Sequence, residues 1–171
     1  ALTVLTNKTI SGTRMHLIAD EAAMGASNIL YYFKTKQDLL LAVLDEIQRR
    51  SSARRLRIMA VEHQTLKGKL SGFFASKREL ILEDREADIV QFDFWVQGLA
   101  DKKLKVRFQK SFSIWRKDII DVLDEYLPDM PQKRKSMIAY IMISMMMGAS
   151  MQYHNDSKQL DIEDYFSTCI E

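Results

Sequence analysis

Five residues near the N-terminus carry side chains that suit a negatively charged partner. Ser27, Asn28, Tyr31 and Tyr32 supply a hydroxyl, an amide and two phenols, and Lys36 follows shortly after them. Such neutral groups donate hydrogen bonds to phosphate oxygens, and a lysine adds salt-dependent attraction to a polyanion. The serine and the asparagine are also short enough to reach base edges. The stretch therefore suggests contact with DNA.

The same four polar residues share one face if Ala26 to Phe33 form a helix. At about 100° per residue, their side chains fall in one arc of the helical wheel. The apolar arc opposite is formed by Ala26, Ile29, Leu30 and Phe33. We expect the apolar arc to hold the helix on its neighbours and the polar arc to face outward. The alternative is a small helical hairpin whose tyrosines only pack at its rim.

A second short helix is predicted just before this one. Between Arg14 and Ala22, apolar residues recur at the i, i+3, i+4, i+7 spacing of one helix face. Thr13 is the predicted N-cap, because its hydroxyl can accept a free backbone N–H. Gly25 is predicted to take a left-handed conformation in the turn. Short helix, tight turn and short helix form a helix-turn-helix, whose second helix enters the DNA major groove.

The rest of the chain also predicts helices. The 171 residues include only six glycines and two prolines, and no stretch shows the alternation of a strand. A helix is predicted from Gln37 to about Gln64, with its arginine-rich run solvated. Further helices follow, and Pro128 and Pro131 separate the last long amphipathic one from a Met-rich helix. Asp161 is the predicted N-cap of a final helix. The fold class is all-α.

The stretch "IADEAAMGASNILYYFKTKQDLLLAVL" resembles the DNA-binding domain of TetR-family transcriptional regulators. The resemblance rests on "IADEA", a short gap, "YYFKTK" and the leucine-rich opening of the next helix. It implies a helix-turn-helix domain over residues 1–40 and a larger helical domain for ligand binding and dimerisation over residues 41–171, joined by a long helix. "ALTVLTN" is expected to end a helix that begins upstream. The DNA-facing residues it implies are Thr13, Ser27, Asn28, Tyr31, Tyr32 and Lys36.

The chain departs from the family pattern at the turn. Ala23, Met24 and Gly25 stand where the family commonly has Gly-Val-Ser, so the hydroxyl that would cap the recognition helix is absent. Ala26 replaces a basic or polar residue, and Leu30 replaces an aromatic one. These changes remove polar contacts at the start of the recognition helix. They are the best argument for the rival interpretation, a helical small-molecule-binding or protein-interaction module that does not bind DNA.

Aromatic residues at helical spacing in the C-terminal part have two interpretations. They fill a core, or they line the effector pocket that the family resemblance implies, which would suit an apolar or cationic ligand. The segment "FDFWVQGLAD" is weakly similar to the branch of the family that senses choline and related amines. The candidate pocket residues are Phe92, Trp95, Phe112, Trp115 and Tyr140.

The Met-rich helix is apolar nearly all round and must be buried on several sides. A two-fold interface between the last two helices of two chains would bury it and place two DNA-reading units on a palindromic site. The candidate interface residues are Met137, Ile141, Met145 and Gly148. The predicted partners are therefore an operator, a small-molecule effector and a second copy of the chain.

Catalysis, metals and cofactors find no support in the sequence. The three histidines, His16, His63 and His154, lack metal-ligand spacing, and no phosphate-binding glycine loop or nucleophile elbow occurs. The lone cysteine, Cys169, cannot form an internal disulfide and fits a cytoplasmic protein. No run reaches the length of a membrane span. The sequence predicts a cytoplasmic, ligand-responsive DNA-binding regulator, most simply a repressor, and not an enzyme.

Overall fold

The computed structural model describes residues 1–61 and 65–171, and these contain helices and no strand. The helices are α1 (Leu2–Gly12), α2 (Met15–Glu21), α3 (Ala26–Tyr32), α4 (Lys36–Met59), α5 (Leu66–Glu83), α6 (Arg85–Gly98), α7 (Lys102–Tyr126), α8 (Gln132–Asn155) and α9 (Ile162–Ile170). The all-α prediction is confirmed. The predicted end of α4 near Gln64 lies outside the described residues.

The chain divides into two compact units. The first unit comprises Ala1–Arg50 and Arg85–Gln109, and the second comprises Ser51–Asp84 and Lys110–Glu171. Helices α4 and α7 therefore contribute residues to both units. The predicted division into residues 1–40 and 41–171 concerns which part binds DNA and which binds effector, and it stays a prediction.

The first unit holds α1, α2 and α3 on the start of α4 through a small apolar core. That core is formed by Val4, Ile18, Ala19, Ile29 and Leu39. Helix α6 packs along α1 in the same unit. Val90 and Phe94 are buried on α6. Helix α3 is therefore held in place by packing against this core.

The second unit is built around α5, α7, α8 and α9. Its centre includes Phe73, Ile119, Met146 and Phe166, all buried. The buried Lys135 ammonium donates to Asp124 at 2.7 Å and to the Pro128 carbonyl at 3.3 Å, which joins α7 to α8 across the proline turn.

Side-chain caps account for the starts of two helices, α5 and α9. Thr65 caps α5 by accepting from the Gly68 N–H at 3.1 Å. The Asp161 carboxylate accepts from the N–H groups of Glu163 and Asp164, which confirms the predicted cap of α9. Among the described residues, no helix combines the length and the apolar character needed to cross a bilayer.

Candidate nucleic-acid interface

Helix α3 is anchored through a single buried residue. Ile29 packs into the core of the first unit, and Phe33 lies half-buried just beyond the helix. Leu30 was predicted to share this anchoring role, but it is 45% exposed, so that prediction is wrong. On this helix of two turns, Ile29 is the residue that faces the core, and Leu30, about 100° further round the helix, points away from it.

The predicted polar arc of α3 faces outward. Ser27 and Asn28 are exposed, and Tyr31 and Tyr32 are 73% and 69% exposed. The two phenol rings meet edge to face with centroids 5.2 Å apart. The Lys34 ammonium lies 5.5 Å from the centre of the Tyr31 ring, close enough for cation–π attraction. Two phenols and a cation thus form one polar surface.

Thr13 does not belong to that surface. It is fully buried, and its hydroxyl donates to the Thr9 carbonyl at 2.7 Å. The N-cap of α2 is Arg14, without a side-chain cap bond, so the predicted capping role of Thr13 is wrong. Because its only hydroxyl is occupied within α1, we regard Thr13 as a structural residue that holds the start of α2 in place.

In the turn between α2 and α3, the residue with left-handed backbone is Ala23 and not Gly25, so the prediction for Gly25 is wrong. Gly25 has φ −66° and lies in the extended region, whereas Ala23 has φ 51°. Ala23 directly follows Ala22, the C-cap of α2. The Met24 N–H then donates to the Ala19 carbonyl at 2.9 Å. Left-handed backbone after a helix end is where glycine is usual. An alanine therefore carries strain here.

Replacing Ala23 with glycine is expected to stabilise the fold. A left-handed L-residue costs about 1–2 kcal/mol, and the added freedom of glycine in the unfolded chain removes about half of that gain. The melting temperature should rise by about 2 °C. Ala22→Gly is the matched control: its φ is an ordinary −86°, so the same substitution should lower the melting temperature. Thermal unfolding followed by circular dichroism measures both melting temperatures. A melting temperature of Ala23→Gly below that of wild type would contradict the proposed backbone strain at Ala23.

Lys36 is held at the first turn of α4 by a reciprocal cap. The Thr35 hydroxyl accepts from the Asp38 N–H at 3.1 Å, and the Asp38 carboxylate accepts from the Thr35 N–H at 3.1 Å. Next to Lys36, the Gln37 amide donates to Asp101 at 2.6 Å. These bonds fix the first turn of α4, where the Lys36 side chain stays partly exposed.

Two charged residues act on Lys36 that the sequence did not single out. Partial burial lowers the pKa of Lys36, the positive charge of Arg14 lowers it further, and the carboxylate of Asp93 opposes both. Arg14 is exposed at the start of α2, Lys34 lies by the Tyr31 ring, and Lys36 begins α4, so the helix-turn-helix region carries three cations. Arg14 could have been found from the sequence, because it directly follows Thr13, which was a predicted DNA-facing residue. No sequence signal pointed to Asp93, because it lies far along the chain on α6.

The first 43 residues match the family model described as bacterial regulatory proteins, tetR family. These residues are about a quarter of the chain, and over them the chain is similar to the tetR family. The match covers the helix-turn-helix and the opening of α4, which are the elements that build the polar surface around α3. No curated protein matches the chain.

Several solved structures of transcriptional regulators share the fold of this chain. A TetR transcription regulator from Haloarcula marismortui has a TM-score of 0.81 and 18% identity, covering 97% of this chain and 88% of that chain. The regulator FadR from Bacillus subtilis, in complex with stearoyl-CoA, has a TM-score of 0.82 and 14% identity, covering 99% and 91%. A putative transcriptional regulator from Saccharomonospora viridis, in complex with choline, has a TM-score of 0.78 and 15% identity, covering 98% and 88%.

The five aromatic residues predicted to line a pocket are divided between the two units. Phe92 and Trp95 belong to the first unit, and Trp95 is largely exposed. In the second unit, Phe112 and Trp115 meet with ring centroids 5.9 Å apart. The exposed Tyr140 ring lies under the Arg116 guanidinium at 4.6 Å. Phe112 and Trp115 are therefore the two candidates that contact each other.

A separate groove lies within the first unit. It has a volume of about 490 Å³, and its lining includes Ile29, Tyr32 and Val43. None of the five predicted pocket residues is among the described residues that line it.

The residues predicted for dimerisation lie along one exposed strip of α8. Met137 and Ile141 are 54% and 51% exposed, and Met145 and Gly148 are half-buried. A Cβ atom built at Gly148 would meet no atom of the chain within 4 Å. The packing of a single chain therefore does not require glycine at this position.

Metal chemistry has no site in the part of the chain that the structure describes. Residues 1–61 and 65–171 contain no group of three histidine, cysteine or acidic side chains able to hold an ion. Cys169 is half-buried, and burial raises the pKa of its thiol above the ordinary value. A raised pKa reduces the thiolate fraction, which is the opposite of what a nucleophilic cysteine needs.

Proposed function

We propose that the chain is a cytoplasmic repressor that binds a palindromic operator as a homodimer and leaves it when a small molecule binds. The observation that carries the DNA-binding part is the outward-facing arc of α3 on its buried anchor, Ile29. Four polar side chains are exposed on a short helix, and the core of the first unit holds that helix in place. This is the arrangement by which a recognition helix enters the major groove.

Within that proposal, each exposed residue has a role set by its chemistry. Tyr31 and Tyr32 donate hydrogen bonds to phosphate oxygens, which fix the helix without reading sequence. Ser27 and Asn28, at the start of α3, contact base edges. Lys36 supplies charge and releases counterions from the DNA.

The strip on α8 supports the dimer. Met137 and Ile141 leave large apolar surfaces in water, and Gly148 leaves room for another backbone to approach. Covering such a strip with the same strip of a second chain gives a two-fold interface. A two-fold dimer presents two recognition helices to half-sites about 34–36 Å apart, so the operator would be palindromic.

The effector is proposed to contact Phe112 and Trp115 in the second unit. Two relatives with the same fold were solved with very different ligands, stearoyl-CoA and choline. Both serve as probes for this chain, because one presents a long apolar chain and the other a quaternary ammonium. A probe that lowers operator affinity and quenches tryptophan fluorescence would identify the class of effector.

Selection from random DNA duplexes tests the DNA-binding proposal directly. We expect the chain to enrich a palindromic sequence and to bind it at about 50 mM salt. If Arg14, Lys34 and Lys36 of each protomer neutralise one phosphate each, the six cations of a dimer predict a slope of log affinity against log salt of about −5. Fluorescence anisotropy over a salt series measures both quantities. Absence of binding even at about 50 mM salt would favour the module that does not bind DNA.

A further inference from the structure

Helix α1 contains a strained turn just before the DNA-facing elements. Thr9 has φ 59° and ψ 167°, a non-helical conformation that interrupts the helix. This region of backbone space is essentially restricted to glycine, and threonine is β-branched, which makes it less suited still. A conformation of this kind persists only when the surrounding structure holds it.

Side chains of α6 hold this turn. The Ile10 N–H, next to the strained residue, donates to the Asp93 carboxylate, and Ile10 itself is buried. The Gln97 amide donates to the Ser11 hydroxyl at 3.0 Å and reaches the other Asp93 oxygen at 3.4 Å. Without a partner, the buried Ile10 N–H would be left unsatisfied, which is costly.

The strained turn also fixes the start of α2. The Thr9 carbonyl accepts two bonds from Thr13, one from its N–H at 3.1 Å and one from its hydroxyl at 2.7 Å. Arg14 follows directly as the N-cap of α2. The Asp93 carboxylate also lies within electrostatic reach of Lys36. One carboxylate on α6 is thus linked to Arg14 through the turn and to Lys36 through its charge.

We propose that Asp93 is a positioning residue for DNA binding: by accepting from the Ile10 N–H it holds the strained Thr9 turn, which sets the position of Arg14 at the start of α2. The proposal rests on the proposed function, since Arg14 and Lys36 are taken to contact phosphates. Asp93 itself does not touch DNA. Its negative charge would repel DNA if its role were direct, so only its hydrogen bond to α1 favours binding.

Three variants separate the hydrogen bond from the charge. Asp93→Ala removes the acceptor, and operator affinity should fall by about tenfold, with the salt slope reduced by about 1 for each phosphate that is no longer neutralised. Asp93→Asn keeps an acceptor for the Ile10 N–H, so affinity should stay within about threefold of wild type. Thr9→Gly in the Asp93→Ala background removes the strain that Asp93 opposes, and affinity should return to within about threefold of wild type.

Glu86→Ala is the matched control, because Glu86 is also a carboxylate on α6 that accepts from α1, at Thr3, 3.3 Å away. Its affinity should equal that of wild type. All affinities are measured by anisotropy at a temperature where circular dichroism shows every variant folded. A lower melting temperature for Asp93→Ala with unchanged affinity and salt slope would overturn the positioning role. So would a failure of Thr9→Gly to restore affinity.

Melting temperatures distinguish a failure of this proposal from a failure of the proposed function. If wild-type protein binds no DNA, the proposed function fails, and the role of Asp93 in binding fails with it. The link between Asp93 and the turn is then judged by the Asp93→Ala and Thr9→Gly cycle alone. We expect the two substitutions to be non-additive in melting temperature, as for residues in contact. Additive shifts would contradict the link itself.

Discussion

The double substitution Met137→Glu and Ile141→Glu is expected to produce a monomer whose operator affinity is at least about 100-fold lower than that of wild type. Both side chains lie on the exposed strip of α8, one helical turn apart. In a two-fold interface, each would bring a carboxylate against the same apolar surface of the partner. Burying unpaired carboxylates costs several kcal/mol each, more than such an interface can offset.

The reduced DNA affinity follows from the absence of a second recognition helix. When two linked units bind two half-sites, the second binding event is intramolecular, and avidity exceeds the single-site affinity by about 10²–10⁴. A monomer keeps only one half-site. Size-exclusion chromatography with light scattering measures the assembly, and anisotropy measures the affinity.

Leu82→Glu is the control for this experiment. Leu82 is an exposed apolar residue on α5 of the same unit, so the substitution has the same chemistry at a different surface. It should leave both mass and affinity unchanged. A double variant that remains dimeric, or a monomer that binds the operator as tightly as wild type, would show that α8 is not the interface used on DNA.

Tyr31→Phe together with Tyr32→Phe is expected to lower DNA affinity by about 30-fold for each half-site bound, and so by about 1,000-fold for a dimer on its operator. Each substitution removes one hydroxyl and keeps the ring. A hydrogen bond to a charged acceptor contributes about 1 kcal/mol or more, and removing two such bonds corresponds to the factor for one half-site. Because both side chains are largely exposed, the melting temperature should not change. The two effects are therefore measured independently.

The decrease should be similar on the selected operator and on unrelated DNA. Phosphate contacts carry no sequence information, so their removal weakens all complexes to a similar degree. Anisotropy titrations on both duplexes measure this ratio. Tyr153→Phe makes the same chemical change on α8, in the second unit, and should have no effect. Unchanged affinity in the double variant would mean that the hydroxyls do not contact phosphate.

Periodicity predicted the helices better than it predicted which face of each is buried. In and just after α6, Phe92, Trp95 and Leu99 recur at helical spacing, yet Trp95 and Leu99 are exposed, whereas Val90 and Phe94 are buried. Both sets recur at helical spacing, because apolar residues surround much of this helix. A pattern with two valid stripes does not select one. Packing against α1 makes the choice.

The sequence alone determined the features that depend on neighbours along the chain. The short helices, the break at the two prolines and the cap at Asp161 follow from local backbone preferences and side chains within a few residues. The polar arc of α3 was also local, since Ile29 and the tyrosines lie within one turn of each other. Its outward direction was correctly predicted for that reason.

Only the tertiary structure decided the features that depend on distant partners. Thr13 is buried because its hydroxyl reaches back to Thr9 under the turn that α6 holds. The partner of the Ile10 N–H is Asp93, 83 residues further along the chain, and no local pattern encodes that pairing. A hydrogen bond between distant segments forms only after both are packed. The polar residues of α3 that we propose to contact DNA were therefore predicted from the sequence, whereas Asp93, which we propose to position the DNA-binding elements, was not.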